Sequence, residues 1–374
     1  MGCDGLSLRL ASVEVIPYAL PFREPYVTAR GTLTRREMVM LRLTTDEGLV
    51  GLGEAVPLSL RGGASLEQVV RELQDVAASE PLYDFFDRSY FEVFSVAEID
   101  PRLRLSAPAR CAVLCAVTDI WSRLADAEDP GSEPIRPTPV TCNATLIAGP
   151  AAAVAEDALA WAEEGFSTFK LKLGVDDDLA LVQAVRDAVG PRARLRVDAN
   201  GAWSLATALA MVSELEQFDI ELVEQPVRTM EEAALLSRES EVPLSGDESI
   251  NNLEEAELAL DLDAFQVTGI KLAKVGGLFE AMEIGELMPA YASSALDGPV
   301  GIATAARLAS NIDDKVNPVG PPPPRYAHGL ATQRLFAATI ASVECELRDG
   351  MLYPPPGPGL GIEIDEDALQ AHRL

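Results

Sequence analysis

The sequence predicts an α/β protein in which a closed barrel of parallel strands follows a smaller α+β domain. Three observations predict it. From residue 139 onward, short apolar runs alternate with helical stretches at a repeat of about 25 residues, the pattern of strand–helix units that build a parallel sheet. Eight such strands at this length suit a closed barrel better than an open sheet. No Gly-x-Gly-x-x-Gly turn follows the first strand, which argues against an open dinucleotide-binding sheet.

The elements follow in order. Residues 13–16 and 38–44 alternate as strands, and Thr45-Asp-Glu-Gly48 is the hairpin turn between strands. Residues 65–78 and 107–125 have helical periodicity, with Ala112, Cys115, Ala116 and Ile120 on one face of the second. Residues 126–138 are polar, with three prolines and a glycine, and form a linker. Strands are then expected at 140–146, 168–173, 194–199, 221–224, 244–247, 264–271 and 290–296. Helices are expected at 151–164, 178–189, 204–218, from 229, from 252, 278–288 and 302–309. Ser204, Thr229-Met-Glu-Glu232 and Asn252-Leu-Glu-Glu255 carry helix-start chemistry, the last two as capping boxes. Residues 318–324 form a rigid proline loop, and the last thirty residues are expected to be loop-like and to pack back on the first domain.

Composition sets bounds. The 374 residues are 48% hydrophobic, enough for a sizeable core. No apolar run reaches the roughly 18 residues of a membrane span, and residues 1–20 lack a signal-peptide pattern. A cytoplasmic protein with no membrane partner is expected. The net charge of −29 argues against a nucleic-acid or anionic-membrane partner. The five cysteines (Cys3, Cys111, Cys115, Cys142, Cys345) are odd in number and read as reduced. Only His328 and His372 are available for a histidine-rich zinc site or a Ser-His-Asp triad, and both are disfavoured.

Lysine usage is the most informative feature. Of thirty basic side chains only five are lysines, and four sit in two clusters: Lys170 and Lys172, then Lys271 and Lys274; Lys315 stands alone. Lysine can lose its proton near neutral pH where arginine cannot. Between the clusters Asp198, Glu224 and Asp247 each end an apolar run. In a barrel, residues at the carboxyl ends of strands converge on one mouth. Three carboxylates there require a cation, and oxygen ligands favour Mg2+. Lys170 and Lys172, at i and i+2, share a strand face, so one disfavours the charge of the other. A neutral lysine beside a hard cation suits removal of a proton α to a carboxylate.

These residues resemble the enolase superfamily, in the muconate-lactonizing-enzyme-like branch that carries Lys-x-Lys on the second barrel strand. The resemblance covers nearly the whole chain. It implies a (β/α)7β TIM-like barrel at 139–342, and an α+β capping domain from 1–130 completed by 343–374. It implies Mg2+, with Mn2+ as a substitute, held by Asp198, Glu224 and Asp247. Lys172 and Lys271 become the acid/base pair on opposite faces of a small carboxylate substrate, with Lys170 tuning Lys172 and with Asn200 and Glu248 orienting their neighbours. Pairing a lysine base with Mg2+ is the general chemistry of that superfamily. Segments 293–302, 327–332 and 357–365 look most like the o-succinylbenzoate synthase family, whose members dehydrate a cyclohexadiene carboxylate in menaquinone synthesis. Substrate contacts are expected from Ser293, Ser294, Asn143 and Arg30, the last on a loop at 21–31 for which two readings stand equally, closure over the mouth and an ordinary hairpin connection. Ser293, Ser294 and the glycine-rich start of the next helix would hold a carboxylate. Asp297 stands where relatives often carry Glu, and the eighth strand lacks the Asp-x-Asp of dipeptide epimerases. N-acylamino acid racemisation, or another acid racemase or cycloisomerase activity of the same branch, is the alternative, and a non-catalytic acid-binding barrel a further one. The sequence carries no indication of oligomeric state.

Overall fold

The computed structural model describes residues 9–28, 31–59, 62–79, 104–128, 138–174, 177–314 and 325–374. Arg30, Lys315, the proline loop at 318–324 and the linker core lie outside these residues.

The N-terminal unit is an antiparallel sheet, β1 (Leu10–Thr28), β2 (Gly31–Thr45) and β3 (Val50–Ala55), in the order β1-β2-β3. Helices α1 (Leu66–Ala77) and α2 (Ala107–Glu128) pack on it. Much of segment 21–31, expected as a loop, is strand up to Thr28. Val39, Leu41 and Leu43 alternate into a core with Ala112, Ala116 and Ile120 of α2, whereas Cys115, expected on the same helix face, joins the larger core. Gly51 and Gly53 let β3 approach α2 closely: a Cβ on Gly53 would lie 1.8 Å from the Ala112 carbonyl oxygen.

The second unit is a parallel barrel. Its strands are β5 (Ala144–Thr145), β6 (Thr168–Lys172), β7 (Arg194–Asp198), β8 (Ile220–Glu224), β9 (Leu244–Gly246), β10 (Val267–Ile270) and β11 (Ala290–Ala292), hydrogen-bonded in sequence order. A short eighth segment closes the ring: His328 pairs with Cys142 and Gly329 with Ser293, both parallel. The expected strand at 140–146 is two pieces. β4 (Val140–Thr141) pairs antiparallel with the C-terminal tail, and only β5 joins the barrel.

Helices α3 (Ala151–Glu163), α4 (Asp178–Val189), α5 (Leu205–Leu215), α6 (Met230–Ser237), α7 (Leu253–Asp261), α8 (Leu272–Val275), α9 (Leu278–Leu287) and α10 (Pro299–Asp313) connect the strands. Ser204, Thr229 and Asn252 each accept a backbone N–H three residues on, satisfying helix-start donors. The four-residue α8 directly after Lys271 was not expected. Helix α10 starts three residues earlier than the apolar pattern indicates, because Pro299 suits a first helical position.

The far end of the barrel interior is plugged. Arg196, 1% exposed, lies over the rings of Tyr291 and Tyr326, pairs with Glu221 and donates to the Ala327 carbonyl at 2.6 Å. Leu222 and Val267 pack beside Tyr291. Among the described residues these side chains fill the barrel interior below the strand carboxyl ends.

The tail is not loop-like. It forms β12 (Ala341–Val343), β13 (Glu346–Arg348), β14 (Met351–Tyr353), β15 (Glu363–Ile364) and α11 (Glu366–His372). These two- and three-residue strands exist through pairing with each other and with β4. The tail does return to the N-terminal sheet: Leu374 donates its N–H to the Pro17 carbonyl, Arg373 bridges to Tyr18, and Arg42 pairs with Glu366. Among the described residues, no helix is long and apolar enough to cross a membrane.

Candidate active site

The register of the barrel sets the site. Lys172 of β6 is level with Asp198 of β7, and Asp198 with Glu224 of β8. Asp247 follows the last residue of β9 and Lys271 the last of β10. Alternation along β6 aims Lys170 to the same side as Lys172, deeper in the barrel. All six therefore meet at one end of the ring, as the strand-end pattern predicts.

Asp198, Glu224 and Asp247 are 0%, 1% and 0% exposed. Burying three carboxylates is tolerable only with compensating positive charge. Lysines supply it. Lys170 Nζ lies 2.5 Å from Glu224 Oε2 and 2.9 Å from Asp198 Oδ2, and Lys172 Nζ lies 2.5 Å from the same Asp198 oxygen. Asp247 is held by Lys271 on one oxygen and by Lys274, at 3.0 Å, on the other. Lys274 also donates to the Asp247 backbone carbonyl.

Electrostatics follow from this packing. Burial pulls the Lys170 pKa down, but Asp198 and Glu224 outweigh it and hold it well above the ordinary lysine value. Lys170 is thus a fixed cation beside Lys172. Burial pushes Asp198 up, yet Lys170 and Lys172 together hold it well below the usual carboxylate range. Burial and the nearby Glu224 keep Tyr291 protonated; its hydroxyl donates to Glu224 Oε2 at 2.8 Å.

Neighbouring residues orient this set. Asn200, with φ of +48°, donates its N–H to Asp198 Oδ1 and its side-chain amide to Glu248 Oε1 at 3.2 Å, while its Oδ1 accepts from Lys172 Nζ at 3.2 Å. Gln225 Oε1 accepts the backbone N–H groups of Asp247 and Ser249. Lys274, Gln225 and Tyr291 had no place in the expected site. The scarcity of lysine flagged Lys274; nothing local flagged the other two.

A cavity of about 250 Å3 opens above the lysines. Lys170, Lys172, Lys271, Lys274, Asn200 and Glu248 form its polar floor, and Asn143, Thr145, Ser293, Ser294 and Thr332 one wall. Asn143 Oδ1 is buried without a hydrogen-bond partner among the described residues. It is thus an acceptor on this wall with capacity to spare.

Two expectations for substrate contacts change. The Ser294 hydroxyl is not free: it donates to Asp297 Oδ2 at 2.6 Å and accepts from Leu296 N, Asp297 N and Thr332 Oγ1. The backbone N–H groups of Ser293 and Ser294 bind the carbonyls of Ile270 and Gly329. The glycine-rich start of α10 already holds a carboxylate of the chain itself. Glu54 Oε1 accepts the Gly298 N–H at 2.6 Å, and its Oε2 accepts the Tyr18 hydroxyl at 2.7 Å.

The donor set suits a hard divalent cation: three buried carboxylates, all oxygen. Among the described residues no three acidic, His or Cys side chains are already grouped to hold a metal. Ammonium groups lie between the carboxylates instead, with Lys170 bridging Asp198 and Glu224. The space between these two carboxylates is thus already one for positive charge.

Comparisons with known proteins agree with this architecture. The o-succinylbenzoate synthase of Thermobifida fusca is 37% identical over 259 residues, 67% of this chain and 75% of that protein. The N-succinyl-L-Arg/Lys racemase of Bacillus cereus is 26% identical over 97% of each chain. The dipeptide epimerase of Enterococcus faecalis, solved with Mg and the dipeptide L-Leu-L-Tyr, superimposes with a TM-score of 0.80 over 95% of this chain and 99% of its own, at 24% identity. Residues 10–127 match the mandelate racemase / muconate lactonizing enzyme N-terminal domain, and residues 153–368 the enolase C-terminal domain-like family. With lysines and carboxylates on successive strand ends of a barrel and both family domains in order, the chain belongs to the enolase superfamily, among its mandelate racemase and muconate lactonizing enzymes.

Proposed function

We propose that the protein is a Mg2+-dependent carbon–oxygen lyase, an o-succinylbenzoate synthase of menaquinone biosynthesis. The observation that carries the reading is the placement of Lys172 and Lys271. Lys172 ends the second strand and Lys271 follows the sixth strand of an eight-membered ring, and both line the cavity, so they address a bound acid from opposite sides. The match to the Thermobifida fusca enzyme supports this reading over others.

Asp198, Glu224 and Asp247 would hold Mg2+, which would supply positive charge to the substrate carboxylate and make its α-proton removable. The chain's residues do the rest. Lys172 in its neutral form takes the α-proton. As an ammonium it then returns a proton to the departing hydroxyl on the same face, a syn elimination of water. Lys271 stabilises the negative charge that develops between these steps from the other face. Lys170 keeps a permanent positive charge behind Lys172. Asn200 fixes the direction of Lys172, and Asn143 Oδ1 offers an acceptor to a substrate hydroxyl.

The test is an ultraviolet assay with Mg2+ and the cyclohexadiene substrate of o-succinylbenzoate synthase. Fast loss of diene absorbance that stops on chelation is expected. A second reading, N-acylamino acid racemisation, is favoured by the near full-length match to the N-succinyl-L-Arg/Lys racemase. No diene loss, together with exchange of the α-proton of N-succinyl amino acids in D2O, would replace the lyase by the racemase.

A further inference from the structure

The non-glycine residues with positive φ among the described residues are Asp, Asn and Gln, with one exception: Leu296, at φ +68°. Bulky side chains avoid this region, and such strain persists only where the surroundings over-determine it. Here they do, and they come from the N-terminal sheet. Arg36 of β2 donates Nη2 to the Ala295 carbonyl at 3.0 Å and to the Pro57 carbonyl at 2.9 Å. Glu54 of β3 takes the Gly298 N–H, and Tyr18 of β1 holds Glu54. From within the turn, Asp297 accepts Ala295 N–H at 2.7 Å, and the Ser294 hydroxyl accepts Leu296 N–H at 3.0 Å. The turn is thus pinned on both sides of Leu296.

A glycine or asparagine would make the same turn without strain. Leucine adds only an apolar side chain, and Leu296 lines the cavity. With Tyr26, Leu33, Pro57, Leu58 and Ala295 it supplies apolar lining to the same cavity that the lysines line. We propose that Leu296 is a specificity-determining residue, the wall against which the apolar body of the substrate acid packs, and that Arg36 and Glu54 are positioning residues that hold it there. This rests on the reading of the site as one for a carboxylate acid, and it adds which part of the protein selects the rest of that acid.

The test is titration of the Mg2+-supplemented protein with o-succinylbenzoate and with benzoate, followed by calorimetry whether or not turnover occurs. Leu296→Ala should weaken o-succinylbenzoate about tenfold, whereas Leu296→Met, which keeps the volume, should stay within about twofold. Arg36→Gln should weaken it too. In the double variant Arg36→Gln/Leu296→Ala the loss should fall short of the product of the single losses, because Arg36 acts through Leu296. Circular dichroism confirms that each variant is folded. Unchanged affinity in Leu296→Ala overturns the proposal, and fully multiplicative losses overturn the positioning role of Arg36. A parent protein that binds neither acid overturns the carboxylate reading of the site and this inference with it. Binding of both acids with indifferent Leu296 variants overturns this inference alone.

Discussion

Lys170 and Lys172 share a single oxygen of Asp198, at 2.9 and 2.5 Å. One carboxylate thus stands between the residue that keeps its charge and the one assigned to take the substrate proton. The division of labour follows from depth: Lys170 is buried and bound to two carboxylates, while Lys172 is half-buried and reaches the cavity.

Replacing Lys172 should therefore stop the chemistry and leave the fold. Lys172→Ala is expected to lower kcat by about 10^3-fold or more. Lys172→Arg should be no better, since arginine does not deprotonate near neutrality. Single-turnover assays of diene loss read this directly, and a Lys172→Ala protein with undiminished turnover would remove Lys172 from the proposed mechanism.

The carboxylates make a separate prediction about the metal. Mg2+ should raise the melting temperature of the parent protein by mass action. Asp198→Asn should abolish that rise, because it removes a charged oxygen donor. A rise of equal size in Asp198→Asn would exclude Asp198 as a ligand.

Glu54 makes stability depend on pH. Burial, reinforced by Asp297, pushes its carboxyl from 4.5 up to about 7. An acid with a raised pKa in the folded state binds its proton more tightly there than in the unfolded chain. Its contribution is fully present below pH 4.5 and is lost as pH rises to about 7. At about 1.4 kcal/mol per pH unit the loss is on the order of 3 kcal/mol. Urea unfolding of the parent and Glu54→Gln between pH 4 and 8 should show the difference move toward the variant by about that amount. A pH-independent difference would contradict it.

Gly53 is a steric requirement. A Cβ there would lie 1.8 Å from the Ala112 oxygen and 2.7 Å from its carbonyl carbon, both backbone atoms of α2. Gly53→Ala should cost about 3 kcal/mol through forced separation of sheet and helix. Gly48→Ala, in open space but at φ +84°, should cost about 1 kcal/mol through backbone strain alone. Urea midpoints of the two variants rank them.

The barrel and its floor were legible because their signals are local. Strand ends carry charged residues after apolar runs, and Thr229 and Asn252 cap helices through side chains three residues from the donors they satisfy. What was hidden depends on distant pairing. The split of 140–146 is imposed by β14, about two hundred residues later. The tail strands are two or three residues long and have no periodicity of their own. Glu54 is the penultimate residue of β3, and nothing near it announces that it fills a helix start 244 residues away. At the segment expected to hold a substrate carboxylate, Glu54 takes the Gly298 N–H and Asp297 takes the Ser294 hydroxyl, and neither contact is signalled locally in the sequence.

The concentration of lysine in the cavity floor turns this chain into its own spectroscopic probe. A protein of 374 residues labelled only at lysine side chains would give five ε-resonances, four of them from Lys170, Lys172, Lys271 and Lys274. A crowded molecule thus yields an almost empty spectrum in which nearly every line reports proton occupancy at the reacting centre. Titrating substrate, metal or acid into such a sample would resolve which ammonium releases its proton first, without a single mutation.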